Sequence, residues 1–208
     1  DHAPLERDVG VGGIAVDHHD RRAVEENGGE GVPHHPGGRR KPLEAVARLP
    51  FVAGLDRSGY LFDPRGVSRG RLLRLAEGKD QGALLADLGG RRASAAEALG
   101  WIASHAVSRP VLVDVTADET SDLLTTALAQ GFDLVLANKK PLAGPPASYS
   151  RLLQTAAAAS RRLRYEATVG AGLPVIDTFR KLVESGDRVM RVEGCVSGTL
   201  GFVLSSLE

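Results

Sequence analysis

Apolar and polar positions change their rhythm along this chain. From residue 1 to about 41, neither helical nor strand spacing lasts beyond a few positions. Pro42 to Leu49 then suits a short helix, and Phe51 to Leu55 (FVAGL) is apolar enough for a buried strand. Asp56-Arg57-Ser58-Gly59 reads as a loop, and Leu61-Phe62-Asp63-Pro64 carries a turn signal. A helix over Arg71 to Glu77 is expected to close at Gly78. A second, over Ala93 to Ala106, has Ser94 as its cap and Ala95, Ala98, Trp101 and Ile102 as its inward stripe.

From Pro110 the alternation becomes regular. Val111–Val115 is a short apolar strand, and Asp118–Gln130 a helix with Leu123, Leu124, Ala127 and Leu128 inward and Gly131 at its end. Asp133–Ala137 is the next strand, followed by a helix over Ser148–Arg162 that buries Tyr149, Leu152 and Leu153. Leu163–Tyr165 is a brief strand. Strands apolar on both faces, alternating with helices, make βαβ units: an α/β fold with a parallel sheet and helices on both faces. Beyond it come a helix over Leu173–Glu184 with Pro174 in its first turn, a half-exposed strand over Arg188–Val196, and a further helix starting near Leu200.

Composition narrows the partners. Hydrophobic residues make up 42%, enough for a core, and Lys+Arg and Asp+Glu are both 26. A net charge of zero argues against nucleic acid and against an anionic membrane surface. No apolar run approaches the ~18 residues of a membrane span. The lone Cys195 excludes an internal disulfide framework, reads as a buried structural thiol, and fits a reducing, cytoplasmic compartment. Residues 1–41 hold eight glycines and five of the six histidines. They read as a disordered segment, or as non-native sequence from a shifted frame in a GC-rich gene. With no Met and no secretory leader at its start, the chain is read as a fragment.

In an open α/β sheet, ligands bind beyond the carboxyl ends of the strands. Three expected strands deliver polar groups there: Asp56, Arg57 and Ser58; Thr116 and Asp118; Asn138, Lys139 and Lys140. A formal GxGxxA at Gly10, Gly12 and Ala15 resembles a phosphate loop, although no apolar strand precedes it and no helix follows. Lys139 at a strand end can meet a carboxylate or a developing alkoxide. Glu166, just before a glycine-bent loop, can hold a monovalent cation or cap the helix after Leu173; spacing favours the cap. Ser197 and Thr199 suit a helix cap.

VDVTAD (Val113–Asp118), ANKKPLA (Ala137–Ala143), YEATVGAGLPVIDTFRKLVESGD (Tyr165–Asp187) and VEGCVSGTLGFV (Val192–Val203), with FVAGLDRSGYLFDPRGV (Phe51–Val67), together resemble the homoserine dehydrogenase family. The likeness runs from about residue 50 to 208. The resemblance implies a Rossmann-type cofactor domain over 42–165, its first βα unit missing or degraded. The start of a substrate and dimerisation domain would occupy 166–208. It implies NAD(P)H-dependent reduction of aspartate 4-semialdehyde to homoserine, with Lys139 catalytic. An aspartate and a second lysine completing the site are expected beyond residue 208, so this chain is expected to be weakly active or inactive. Asp56, Arg57, Ser58, Thr116 and Lys139 fall at cofactor-contacting positions, with Gly10 and Gly12 secondary. Ala117 stands where the family often has serine. Thr199 falls on the substrate side.

The same likeness makes Glu166, Val169, Ala171 and Leu173 ligands of a monovalent cation, Na+ or K+, reversing the cap reading of Glu166. It also implies a homodimer. Arg57 suits the 2′-phosphate of NADP, whereas Asp56 suits the free ribose of NAD. The alternatives are a non-catalytic relic that keeps the fold and dimer surface, or a related dehydrogenase for another semialdehyde.

Overall fold

The computed structural model describes residues 12–16, 50–105, 108–170, 172–194 and 205–206. The expected helix over 42–49, the end of the strand expected over Arg188–Val196, Cys195, and most of the final helix lie outside them.

Six strands form one sheet in the order β3-β2-β1-β4-β5-β6. They are β1 (Gly12–Val16), β2 (Phe51–Asp56), β3 (Gly59–Phe62), β4 (Pro110–Asp114), β5 (Asp133–Leu136) and β6 (Leu163–Arg164). β4, β5 and β6 are parallel, with Val111 opposite Asp133 and Leu134 opposite Leu163. This is the βαβ core that the alternation predicts: β4 and β5 are joined through a helix, as a parallel pair requires.

The sheet is mixed rather than wholly parallel, which corrects the expectation in two places. β3 runs antiparallel to β2, with Asp56 opposite Gly59, so the segment read as a loop is a hairpin with Arg57-Ser58 at its tip. Gly59 (φ 143°) allows the close approach there: a Cβ on it would lie 2.0 Å from the Arg91 carbonyl oxygen. The second correction is β1. GGIAV lies in a segment whose pattern promises no element, yet it pairs antiparallel with both β2 and β4. Ladders on both sides satisfy its backbone, and that outweighs the weak strand preference of its glycines.

The helices are α1 (Arg69–Asp80), α2 (Ala95–Ala103), α3 (Ser121–Ala129), the single turn α4 (Lys140–Ala143), α5 (Pro146–Ala158) and α6 (Val175–Glu184). Ala98, Leu99 and Ile102 of α2, Leu124, Ala127 and Leu128 of α3, and Leu152 and Ala156 of α5 form one core with Leu112, Leu134 and Leu136 of the sheet. Each fully buried leucine contributes about 1.5–3 kcal/mol. The intervening positions Val111, Val113 and Val135 are half-buried to exposed.

Local chemistry sets the helix ends. Ser94 and Glu97 form a reciprocal capping box at the start of α2. Gly78 does not end α1 as expected; it lies inside the helix, where a Cβ would meet the Leu88 side chain at 2.6 Å. The α2 stripe includes Leu99 rather than Trp101, which is 43% exposed and packs against His105 with ring centroids 4.3 Å apart. Leu153 likewise points partly outward. Arg188–Glu193 forms no strand among the described residues, since none of the described strands runs beside it. No helix among the described residues is long and apolar enough to cross a membrane.

Candidate functional site

The carboxyl ends of β2, β4 and β5 converge on one rim. There, a cleft of about 260 Å³ opens, lined by Leu55, Asp56 and Arg57 on one side and by Asp114, Thr116, Asp118 and Thr120 on the other. The glycine end of β1 lies between the two sides: Gly12 pairs with Leu55 and Gly13 with Val113. Of the expected phosphate-loop residues, Gly12 is the first residue of β1, at the rim, and Ala15 lies in the same strand. Gly10 lies outside the described residues.

Asp114, the last residue of β4, organises the floor. It is buried, and its Oδ1 accepts from the Thr116 amide (2.9 Å) and hydroxyl (2.7 Å). Its Oδ2 accepts from the Thr120 hydroxyl (2.6 Å) and the Asn138 amide (3.1 Å). Asn138 also donates to the Asp118 carbonyl at 2.8 Å. The Asp114 carbonyl accepts from the amides of Ala137 (2.8 Å) and Asn138 (3.2 Å), which joins the ends of β4 and β5. Buried polar groups are tolerated when every member is paired, and this set is. Thr116 thus has its hydroxyl proton committed to Asp114, and its Oγ1 accepts from the Asn138 side-chain amide at 3.2 Å.

The opposite wall is equally bound up. Asp56 Oδ1 accepts from the Ser58 amide (2.7 Å) and hydroxyl (2.6 Å). Its Oδ2 pairs with Lys79 Nζ of α1 at 2.6 Å, and the two side chains are only 8% and 16% exposed. Burial alone pushes the Asp56 carboxyl up, but the hydrogen bonds from Lys79 and Ser58 outweigh it and hold the group below the usual carboxylate range. The Ser58 hydroxyl in turn accepts from the Leu85 amide at 2.9 Å. Across the mouth, Arg57 meets Asp118 at 3.8 Å, with both side chains exposed.

Lys139 stands beside this rim, where β5 ends. It is exposed, and its backbone carbonyl accepts from Leu142 and Ala143 at the start of α4. Asn138 orients that turn, its Oδ1 accepting from the Lys140 amide at 3.1 Å.

Glu166 caps α6. Its Oε1 accepts from the Ile176 amide (3.1 Å) and its Oε2 from the Asp177 amide (2.7 Å). The Leu173 carbonyl accepts from the Val175 amide at 2.9 Å. Of the expected cation ligands, Glu166 and Leu173 therefore serve the start of the helix, and Ala171 lies outside the described residues. Thr199 also lies outside the described residues.

Sequence reasoning missed Asp114 and Lys79 as site residues. A carboxylate closing an apolar strand ahead of Thr116 was the available signal for Asp114. Nothing in the spacing links Lys79 to Asp56.

Residues 71–166 match the family model for the homoserine dehydrogenase NAD-binding domain. Over this stretch the chain is similar to the homoserine dehydrogenase NAD-binding domain. Among curated relatives, the homoserine dehydrogenase of Paracoccidioides brasiliensis is 44% identical over 104 residues, covering 50% of this chain and 28% of the relative. The bifunctional aspartokinase/homoserine dehydrogenase of Haemophilus influenzae is 40% identical over 111 residues, covering 53% and 14%. The chain thus spans well under a third of the length of these homoserine dehydrogenases. A Candida auris protein of unknown function shares the fold, with a TM-score of 0.58 and 24% identity over 73% of this chain and 40% of that one.

Proposed function

We propose that the chain contributes the cofactor-binding part of a homoserine dehydrogenase, which reduces aspartate 4-semialdehyde to homoserine with a nicotinamide dinucleotide. The observation that carries this reading is the cleft between Asp56–Arg57 and Thr116–Asp118, at the strand ends of a domain matched to that family. A dinucleotide binds an α/β sheet at this rim. The cleft volume of about 260 Å³ suits an adenosine group, with Leu55, Leu112 and Leu123 as its apolar lining.

When bound, the nicotinamide would supply the hydride for the carbonyl carbon. The chain's own residues bind and orient. The Asp114–Asn138 network fixes the β4 and β5 ends, so Thr116 and Lys139 hold fixed stations on one rim. Lys139 presents an ammonium at the β5 end, where it can stabilise alkoxide charge and deliver a proton to that oxygen. We assign Glu166 to the cap of α6 and route no step through a cation. The apolar side chains Phe179, Leu182 and Val183, exposed on α6, support the reading of a homodimer surface beyond the cofactor domain. A cytoplasmic setting belongs to the same reading.

Titrating NADPH fluorescence with the chain tests the proposal. Saturable enhancement that adenosine 2′,5′-bisphosphate competes away is expected. A folded chain that leaves NADPH fluorescence unchanged at millimolar concentrations overturns it. Turnover of homoserine by the chain alone is expected to be near background, and normal turnover would show that this chain carries a complete catalytic set.

A further inference from the structure

We propose, resting on the dinucleotide reading above, that Lys79 decides cofactor choice: by locking Asp56 it sets the adenosine end of the cleft for a 2′-phosphorylated ribose over a free ribose diol. A carboxylate just beyond the second strand favours the diol in two ways. Its free oxygens accept from the ribose hydroxyl, and its charge repels a 2′-phosphate. Here neither property reaches the cleft. Oδ1 is occupied by the Ser58 amide and hydroxyl, and Oδ2 by the Lys79 ammonium at 2.6 Å. Lys79 arrives from α1, and the pair is 16% and 8% exposed, so the acid's charge is cancelled where it stands.

The next residue has the opposite character. Arg57 is 77% exposed, and its 3.8 Å contact with Asp118 spans the cleft mouth with both partners in solvent. A loose exposed pair of this kind is worth about 0–1 kcal/mol, which a phosphate displaces readily. A guanidinium gives a phosphate two parallel charge-assisted hydrogen bonds. With Asp56 neutralised, Arg57 is the cation that remains for the ligand among the described residues lining the cleft. Ser58 adds little, because its hydroxyl donates to Asp56 and accepts from Leu85. Lys79 is thus a positioning residue that acts on the ligand through Asp56.

Calorimetry with the full chain, using adenosine 2′,5′-bisphosphate against 5′-AMP, tests this. The wild type is expected to bind the bisphosphate about tenfold more tightly or better. Lys79→Met unmasks the Asp56 charge and is expected to erase that preference, whereas Lys79→Arg keeps it. The decisive variant is Asp56→Asn combined with Lys79→Met, which removes the acid with its lock and is expected to restore the preference. Failure of the double variant to restore it overturns the lock, because Lys79 would then be touching the phosphate itself. Equal binding of the two nucleotides by the wild type also overturns the inference and leaves the dinucleotide reading intact. A folded wild-type chain that binds neither nucleotide overturns both.

Discussion

At the scale of single residues, the side chains at the strand ends spend their hydrogen bonds on the protein. Asp114 is buried with both oxygens doubly engaged, and Asn138 is its longest-range partner. Replacing Asn138 by alanine removes a donor from a buried carboxylate, which costs about 1–3 kcal/mol. Urea denaturation should show that loss as a lower midpoint, with NADPH binding weakened alongside. Asp56 makes a prediction about acid. Its carboxyl is held below its ordinary value by Lys79 and Ser58, against the opposing effect of burial. The stability it contributes is therefore complete above the ordinary carboxylate pKa of about 3.9, and is lost as pH falls through the lower folded value. Asp56→Asn should flatten that acid limb of a stability-against-pH curve; an unchanged limb would show that the Lys79 pair adds nothing.

At the scale of elements, the caps explain where helices begin, and they also mark what was readable in advance. Ser94 was legible as a cap because a serine stands before a helical run, and the structure adds Glu97, which closes a reciprocal box with it. Ser94→Ala should cost about 0.5–2 kcal/mol, read as a shift in urea midpoint at constant slope. Glu166 is the instructive case. Spacing favoured a cap and the family resemblance a cation ligand, while the geometry gives both oxygens to the α6 amides. Glu166→Ala should speed amide exchange at Ile176 and Asp177 by several-fold, with loss of about 1 kcal/mol in local stability. Substituting K+ for Na+ in the buffer should leave that exchange unchanged.

Elements fixed by local pattern, such as β2, β4, β5 and α3, were visible from apolar runs and their glycine stops. What escaped was set by contacts far along the chain. The pairing of β1 with β2 and β4 depends on ladders to strands tens of residues away. The outward turn of Trp101 depends on Arg91 and His105, which pack against its ring. Lys79 reaches Asp56 only once α1 is folded back beside the hairpin.

At the scale of the whole molecule, one sheet brings its polar strand ends to one side. Asp56 and Arg57, Thr116 and Asp118, and Asn138 and Lys139 arrive there from three separate strands. The opposite edge gathers Arg109, Arg162 and Arg164 around a groove of about 270 Å³, where Asp133 is held by Arg162 at 2.8 Å. These two ends are the competing places for an adenine nucleotide phosphate, and they are separated by the length of the strands. We propose that the nucleotide binds at the first. Mapping amide shifts in the labelled chain on addition of adenosine 2′,5′-bisphosphate decides between them. The predicted result is saturable perturbation at Leu55, Arg57, Thr116 and Asp118, with Arg109, Arg162 and Arg164 unmoved. Perturbation confined to those arginines would contradict the account.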